Sequence, residues 1–192
     1  PDFIEKRKAI VNIQNKDNLC FVWSVLAALY PLSINVYRVN KYKKYLSKLN
    51  LKGIEFPMAL KDISKFEKQN ETISIGVVYF DEEENSILPI YATKFRGRPH
   101  HINLFLLTHV NEETGETVRH YTLIKNLNRL LQHVSNNPCY TCEYCLHRFS
   151  SALLVKRHVD DCGKKDICRI TFPTKMTKRQ IMKKQEEESK RE

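Results

Sequence analysis

Glycine and long apolar runs are scarce in this sequence. Its 192 residues include five glycines. None sits in the spacing of a phosphate-cradling loop or a dinucleotide fingerprint, which excludes nucleotide chemistry of those two kinds. Five glycines and seven prolines are also too few for a low-complexity chain. The longest apolar stretch, Leu19 to Leu32, is too short to span a membrane. The N-terminal residues lack the character of a secretory signal. Neither a membrane partner nor secretion is therefore expected. The chain opens at Pro1 rather than an initiator methionine, as a fragment of a longer protein would.

What is present is apolar and cationic. Hydrophobic residues make up 42%, enough for a sizeable core. The formal net charge of +10 favours an anionic partner such as nucleic acid. Residues 163–192 hold ten Lys and Arg against five Asp and Glu, so half the excess lies there. A solvated tail and a phosphate-binding arm fit that composition equally well.

Apolar periodicity divides the chain into two regimes. Ile10 to Ile13 reads as a short strand. Asp17 or Asn18 then caps a helix through Cys20–Leu29 that Pro31 ends. Apolar residues all round that helix predict burial. A second helix is expected over Val36–Leu49, and a short third around Leu60, Ile63 and Phe66. Period-two patterns follow at Ile73–Phe80, Ile87–Thr93, Ile102–Val110 and Thr117–Lys125, with residues 111–116 as a hairpin loop and a short helix at Leu127–Leu131. Helices first and strands after give an α+β fold with an antiparallel sheet. The expected organisation is an α+β domain over 1–134, a linker at 135–138, a zinc finger at 139–163 and a basic, disordered tail at 164–192.

The finger rests on one spacing. Tyr140, Cys142, Cys145, Phe149, Val155, His158 and Cys162 stand as aromatic-x-Cys-x2-Cys-x3-Phe-x5-Val-x2-His-x3-Cys. Two thiolates two residues apart suit a tight knuckle, and His158 and Cys162 lie one helical turn apart on one face. All four can converge tetrahedrally on a single Zn²⁺. Tyr140, Phe149 and Val155 supply an apolar core that about 25 residues need a metal to complete. Metal-type use of cysteine points to a reducing compartment, nuclear or cytoplasmic. Cys139 repeats the spacing but falls out of register with the core. His133, His147 and Cys168 read as ordinary residues rather than ligands.

In finger geometry Ser151, Leu154 and Arg157 take the base-facing positions, over about three base pairs. Only Arg157 can hold guanine bidentately, which excludes a sequence-specific transcription factor. Arg148, Lys156, Arg157, Lys164, Lys165 and Arg169 are instead candidates for non-specific contact with the phosphate backbone, most naturally of DNA. A protein contact and a purely structural finger are the alternatives. The basic loop with Lys94, Arg96, Arg98, His100 and His101 reads as facing water or phosphate. Asp81 to Glu84 reads as a solvated turn rather than a hard-cation site.

Cys20 and His120 form a second constellation. A thiol at a helix start and an imidazole on a later strand is the order used by papain-like and OTU-like cysteine hydrolases. Asp17-Asn18-Leu19-Cys20 and His120-Tyr121 resemble the OTU deubiquitinase pattern, with Asn18 where that pattern has glycine. Asn126, or Asn103, would orient the ring. The competing reading is a buried core cysteine and a core histidine.

Several segments occur in a fixed order: Lys16 to Leu29, Gly53-Ile54-Glu55-Phe56-Pro57, Ile63 to Asn70, His120 to Leu131, and Cys142-Glu143-Tyr144-Cys145-Leu146-His147. Over about residues 8 to 172 the chain resembles the region before the exonuclease and polymerase domains in protein-primed family B DNA polymerases of Polinton/Maverick-type elements. That resemblance implies a transposon-derived module associated with a polymerase. The 192 residues contain no aspartate motif of an exonuclease or a polymerase, so replication chemistry does not come with it.

Overall fold

The computed structural model describes residues 2–110, 117–131 and 140–162. The expected hairpin loop, the linker and the basic tail lie outside them, as do Cys139, His133, Lys164, Lys165, Cys168 and Arg169. The element order is α1 (Asp2–Arg7), β1 (Ile10–Val11), α2 (Cys20–Leu29), α3 (Ile63–Gln69), β2 (Ile73–Asp81), β3 (Ser86–Tyr91), β4 (His100–Val110), β5 (Thr117–Ile124), α4 (Leu127–Leu131), β6 (Tyr140–Thr141), β7 (Arg148–Phe149) and α5 (Ala152–Cys162). This is an α+β fold.

Its five-stranded sheet runs β1-β5-β4-β2-β3. The expectation of a wholly antiparallel sheet fails at the centre. β2 and β4 pair in parallel, Ile75 opposite Ile102 and Val77 opposite Leu104, while β1–β5, β2–β3 and β4–β5 are antiparallel. Pro89 explains the difference. Proline cannot donate to a second ladder, which confines β3 to an edge. β4, with Ile102 to Leu106 buried, then takes the other side of β2 and enters from the same end as β2.

Helix α2 lies across one face of the sheet. Phe21, Val22, Val25 and Leu26 are fully buried there with Ile75, Val77, Leu104 and Tyr121. Phe21 meets Phe66 and Tyr121 edge-on, with ring centroids 5.1 and 5.3 Å away. The buried Ser24 hydroxyl donates to the Tyr121 carbonyl at 3.0 Å. The opposite face carries a smaller core of Ile4, Ala9, Val78, Phe105, Ile124, Leu127, Leu130 and Leu131, beneath α1 and α4. Glu67 of α3 is fully buried, and its carboxylate accepts the Ile75 N–H at 2.7 Å and the Tyr91 hydroxyl at 2.5 Å.

Two local expectations change. Asp17 is not a helix cap: its carboxylate accepts the Leu19 N–H at 3.0 Å and the Trp23 indole N–H at 2.9 Å, tying the preceding loop to the helix. Val36–Leu49 does not form one α-helix but two 3-10 segments, Val39–Lys41 and Lys43–Lys48. Lys41, Lys44 and Lys48 would stack at i+3 and i+4 in an α-helix, where like charges repel.

Gly76 is closely packed: a Cβ there would lie 2.5 Å from the Asn103 side-chain oxygen, so the buried Asn103 amide would have to move. Gly76→Ala should therefore lower stability by about 1–3 kcal/mol. A reduced urea midpoint with an unchanged slope would show it.

Candidate metal centre

The chain turns sharply after Cys142. The Cys142 N–H donates to the His147 carbonyl and the Leu146 N–H to the Cys142 carbonyl, both at 2.9 Å, with Leu146 at φ +60°. That closes the knuckle between β6 and β7, which pair at Tyr140–Phe149 and Thr141–Arg148. Helix α5 then returns His158 and Cys162 on one face. The ligand atoms of Cys142, Cys145, His158 and Cys162 all lie within 4.8 Å of one another, and Cys145 Sγ is 3.1 Å from His158 Nε2. The four can hold one metal ion.

Desolvation together with the neighbouring Cys142 pushes the Cys145 thiol up to about 12. A divalent ion reverses that balance. Three thiolates around it leave a net charge of −1, and the Arg96 guanidinium stands beside them, donating to Cys162 Sγ at 2.8 Å and to the Cys162 carbonyl at 2.6 Å. The ligands also form the interior of this unit. Cys142 and Cys162 are buried, whereas Tyr140, Phe149 and Val155 are half-buried. His147 is exposed, its ring 4.8 Å from that of Phe149.

The unit is seated on the sheet domain. The Arg96 guanidinium lies over the Tyr144 ring at 5.2 Å, and the His101 ring packs beside the same ring at 4.4 Å. His101 Nε2 is 3.2 Å from the Glu143 carbonyl, to which it must donate, and Nδ1 is 2.9 Å from the Ser74 hydroxyl, from which it then accepts. That tautomer is neutral, and burial lowers the His101 pKa accordingly. The Thr141 N–H donates to Asn128 at 2.7 Å, Arg148 donates to the Leu131 carbonyl, and Leu146 packs on the smaller core. The loop read as facing water or phosphate is thus the seat of the metal unit, at Arg96 and His101. Arg98 of the same loop donates to the carbonyls of Glu67 and Ile73 at 2.6 and 2.7 Å, closing the end of α3. No spacing rule singles out Arg96, His101, Tyr144 or Asn128, because these contacts join residues distant in sequence.

The candidate nucleic-acid residues separate. Lys156 and Arg157 are exposed on α5 together with Leu153 and Leu154. Arg148 is engaged by the Leu131 carbonyl. The Asp81 carboxylate accepts the N–H groups of Glu83 and Glu84, so this acidic turn is closed by its own backbone.

Cys20 and His120 lie on neighbouring elements but face apart. Cys20 begins α2, and its Sγ accepts the Tyr121 N–H at 3.5 Å. Tyr121 points into the core with α2, so His120, the next residue along the strand, points to the other face. There its Nε2 lies 2.8 Å from Asn12 Oδ1. Asn126 does not orient the ring; its side chain accepts the Arg129 N–H at the start of α4. Asn103 lies on β4 opposite Gly76. Cys20 is 4% exposed, and burial raises its pKa, opposite to the shift a nucleophilic thiol needs.

No family model, no curated protein and no solved structure matches this chain. Among the described residues no helix is long and apolar enough to cross a membrane.

Because the metal-free Cys145 thiol stays protonated near neutral pH, loading a metal must displace protons. Calorimetric titration of metal into the reduced apo chain, in buffers of different ionisation enthalpy, should show net proton release and weaker binding at lower pH. Removing Arg96, which donates to a metal-bound thiolate and to a buried carbonyl, should cost about 1.5–3 kcal/mol. Arg96→Ala should accordingly speed amide exchange across Thr141–Leu146 in the metal-loaded protein.

Proposed function

We propose that this chain is a zinc-binding module that contacts the phosphate backbone of nucleic acid, most naturally DNA, without strong sequence readout. Zinc is the metal that best suits three thiolates and an imidazole. With Zn–S near 2.3 Å, tetrahedral donors stand roughly 3.5–3.8 Å apart. The four donor atoms lie within 4.8 Å of one another, and reaching that geometry means opening the 3.1 Å Cys145–His158 pair and drawing in the widest ones. The ion would fasten the β6–β7 knuckle to α5, and nothing in the donor set leaves an open position for catalysis.

One observation carries the nucleic-acid reading. The knuckle is spent on the sheet domain, while α5 presents Lys156 and Arg157 to solvent. The same helix exposes Asp160 and Asp161, each four residues after one of those cations, so phosphate contact rests on Lys156 and Arg157 individually and not on a net basic face. Leu154, 41% exposed at a base-facing position, offers no hydrogen bond, in keeping with backbone contact rather than base readout. The resemblance to the region preceding transposon polymerases agrees with a DNA-associated role, and Lys164 and Lys165 follow α5 in the sequence. The exposed Leu153 and Leu154 favour a protein partner, such as a polymerase, as the second reading.

Fluorescence anisotropy with short duplex DNA at low and physiological salt tests this. Affinity should fall steeply with salt, and Lys156→Gln with Arg157→Gln should reduce the slope of log K against log salt by roughly 1.8, at about 0.9 per phosphate contact. Cys142→Ser should lose both zinc and binding. A wild-type slope in the double variant would overturn the assignment of α5 as the contacting face.

A further inference from the structure

A second cationic surface lies on the sheet domain, away from α5. No carboxylate occurs between Asp17 and Glu55, whereas Arg38, Lys41, Lys43, Lys44, Lys48 and Lys52 fall in that interval, and all six are exposed. Within that interval the repulsion among them has no counter-charge, an arrangement an anion would relieve. Aromatic rings alternate with these cations. Tyr45 stacks on Tyr30 with centroids 3.7 Å apart, the Lys44 ammonium lies over Tyr45 at 4.8 Å, and Tyr37 is 40% exposed beside Arg38.

A cavity of about 400 Å³ adjoins this surface. Tyr30, Lys48, Gln69, Asn70, Thr72 and His100 are among its lining residues, and no carboxylate is. Tyr30 and Lys48 belong to both features, so the two are continuous. The volume falls within the range of small-ligand sites. One polar atom of a lining residue has no partner among the described residues, and it is covered by protein rather than open to the cavity. Gln69 Nε2 donates to the Lys52 carbonyl at 2.9 Å, which fixes the amide orientation. Gln69 Oε1 is then a buried acceptor without a hydrogen-bond partner among the described residues. The adjacent Asn70 is fully used, bonding the Asn50 N–H and the carbonyls of Asn50 and Phe66 at 2.9–3.0 Å.

We propose that this surface binds single-stranded nucleic acid, with phosphates along Lys41 to Lys48 and one unpaired base in the cavity. The cations follow a backbone, and the Tyr30 ring offers an aromatic wall. Those are the elements by which proteins hold splayed bases. A duplex cannot use the cavity, because its base edges are paired and stacked. The site is independent of α5 and does not rest on the zinc unit binding nucleic acid.

The test is anisotropy of the full zinc-loaded chain with a short labelled mixed-sequence single strand and with its duplex. Lys44→Gln with Lys48→Gln should cut the salt slope for the single strand by roughly 1.4, at about 0.7 per phosphate contact. Circular dichroism and the urea midpoint should match wild type in the lysine variant, since both side chains are exposed. The α5 variant Lys156→Gln with Arg157→Gln should keep the single-strand site, so loss of duplex binding there would leave this proposal standing. Wild-type single-strand affinity and slope in the lysine variant would overturn it. Equal retention of wild type on anionic phosphatidylserine vesicles, again lost in the lysine variant, would also overturn it, in favour of a membrane surface.

Discussion

Helix α2 has almost no polar face to give to water. From Cys20 to Ala27 every residue is buried, so the helix can exist only with protein on all sides. That constraint sets the rest of the geometry. The sheet must offer α2 a continuous apolar face, which Ile75, Val77, Leu104 and Tyr121 provide from three different strands. Bringing those strands together requires β4 between β5 and β2, and this in turn requires the chain to pass from β3 back to the start of β2. The connecting loop carries Arg96 and Arg98 and leads into His101 at the start of β4. The position of the metal unit is therefore a remote consequence of burying α2. Deleting Phe21, at the centre of that contact, would remove edge-on partners from both α3 and β5.

The metal unit and the sheet domain share charge as well as surface. Three thiolates and a divalent ion leave one negative charge, and the Arg96 guanidinium lies beside it while also covering the Tyr144 ring. A neutral His101 can accept from Ser74 and donate to Glu143 at once, which an imidazolium cannot do. Metal binding and docking are thus coupled through Cys162, which is both a ligand and the acceptor of Arg96. The Arg7 guanidinium, partly buried, is held below its usual range by that burial and by the nearby Arg148. Both arginines direct donors at carbonyls of α4, Leu130 and Leu131, so this corner is held by backbone acceptors.

Much of this was legible in the residues, and the failures have physical reasons. The ligand set follows from spacing, because a knuckle and a helical turn are local geometries. The four long strands fall within two residues of their expected bounds, since period-two burial is also local. The parallel pairing of β2 with β4 was legible too, had Pro89 been read as confining β3 to an edge. The expected helix over Val36–Leu49 had the right apolar spacing, but its lysines stack with no acid to offset them. The opposed directions of Cys20 and His120 needed one three-dimensional fact, that Tyr121 rather than His120 faces α2. No sequence rule reaches the contacts of Arg96 and His101 with residues 143, 144 and 162, or the pairing of His120 with Asn12.

Docking restricts what the metal unit can do. A free ββα finger can turn to lay its helix in a groove, whereas here the knuckle is fixed by Thr141, Glu143, Tyr144 and Leu146, which leaves only the outer face of α5 available. That helix is short and exposes two leucines, two cations and two carboxylates, Asp160 and Asp161. A single anchored helix of this kind would add a salt-dependent increment to binding that begins elsewhere, because two or so phosphate contacts yield weak affinity at physiological salt. The acid-free segment from Asn18 to Ile54 carries more exposed cations than α5 does. If both proposed surfaces bind nucleic acid, carrying them on one chain would raise the effective concentration of the second contact once the first is made. Under that arrangement the contacts of Arg96, His101 and Tyr144 with the metal unit would matter for binding as well as for docking.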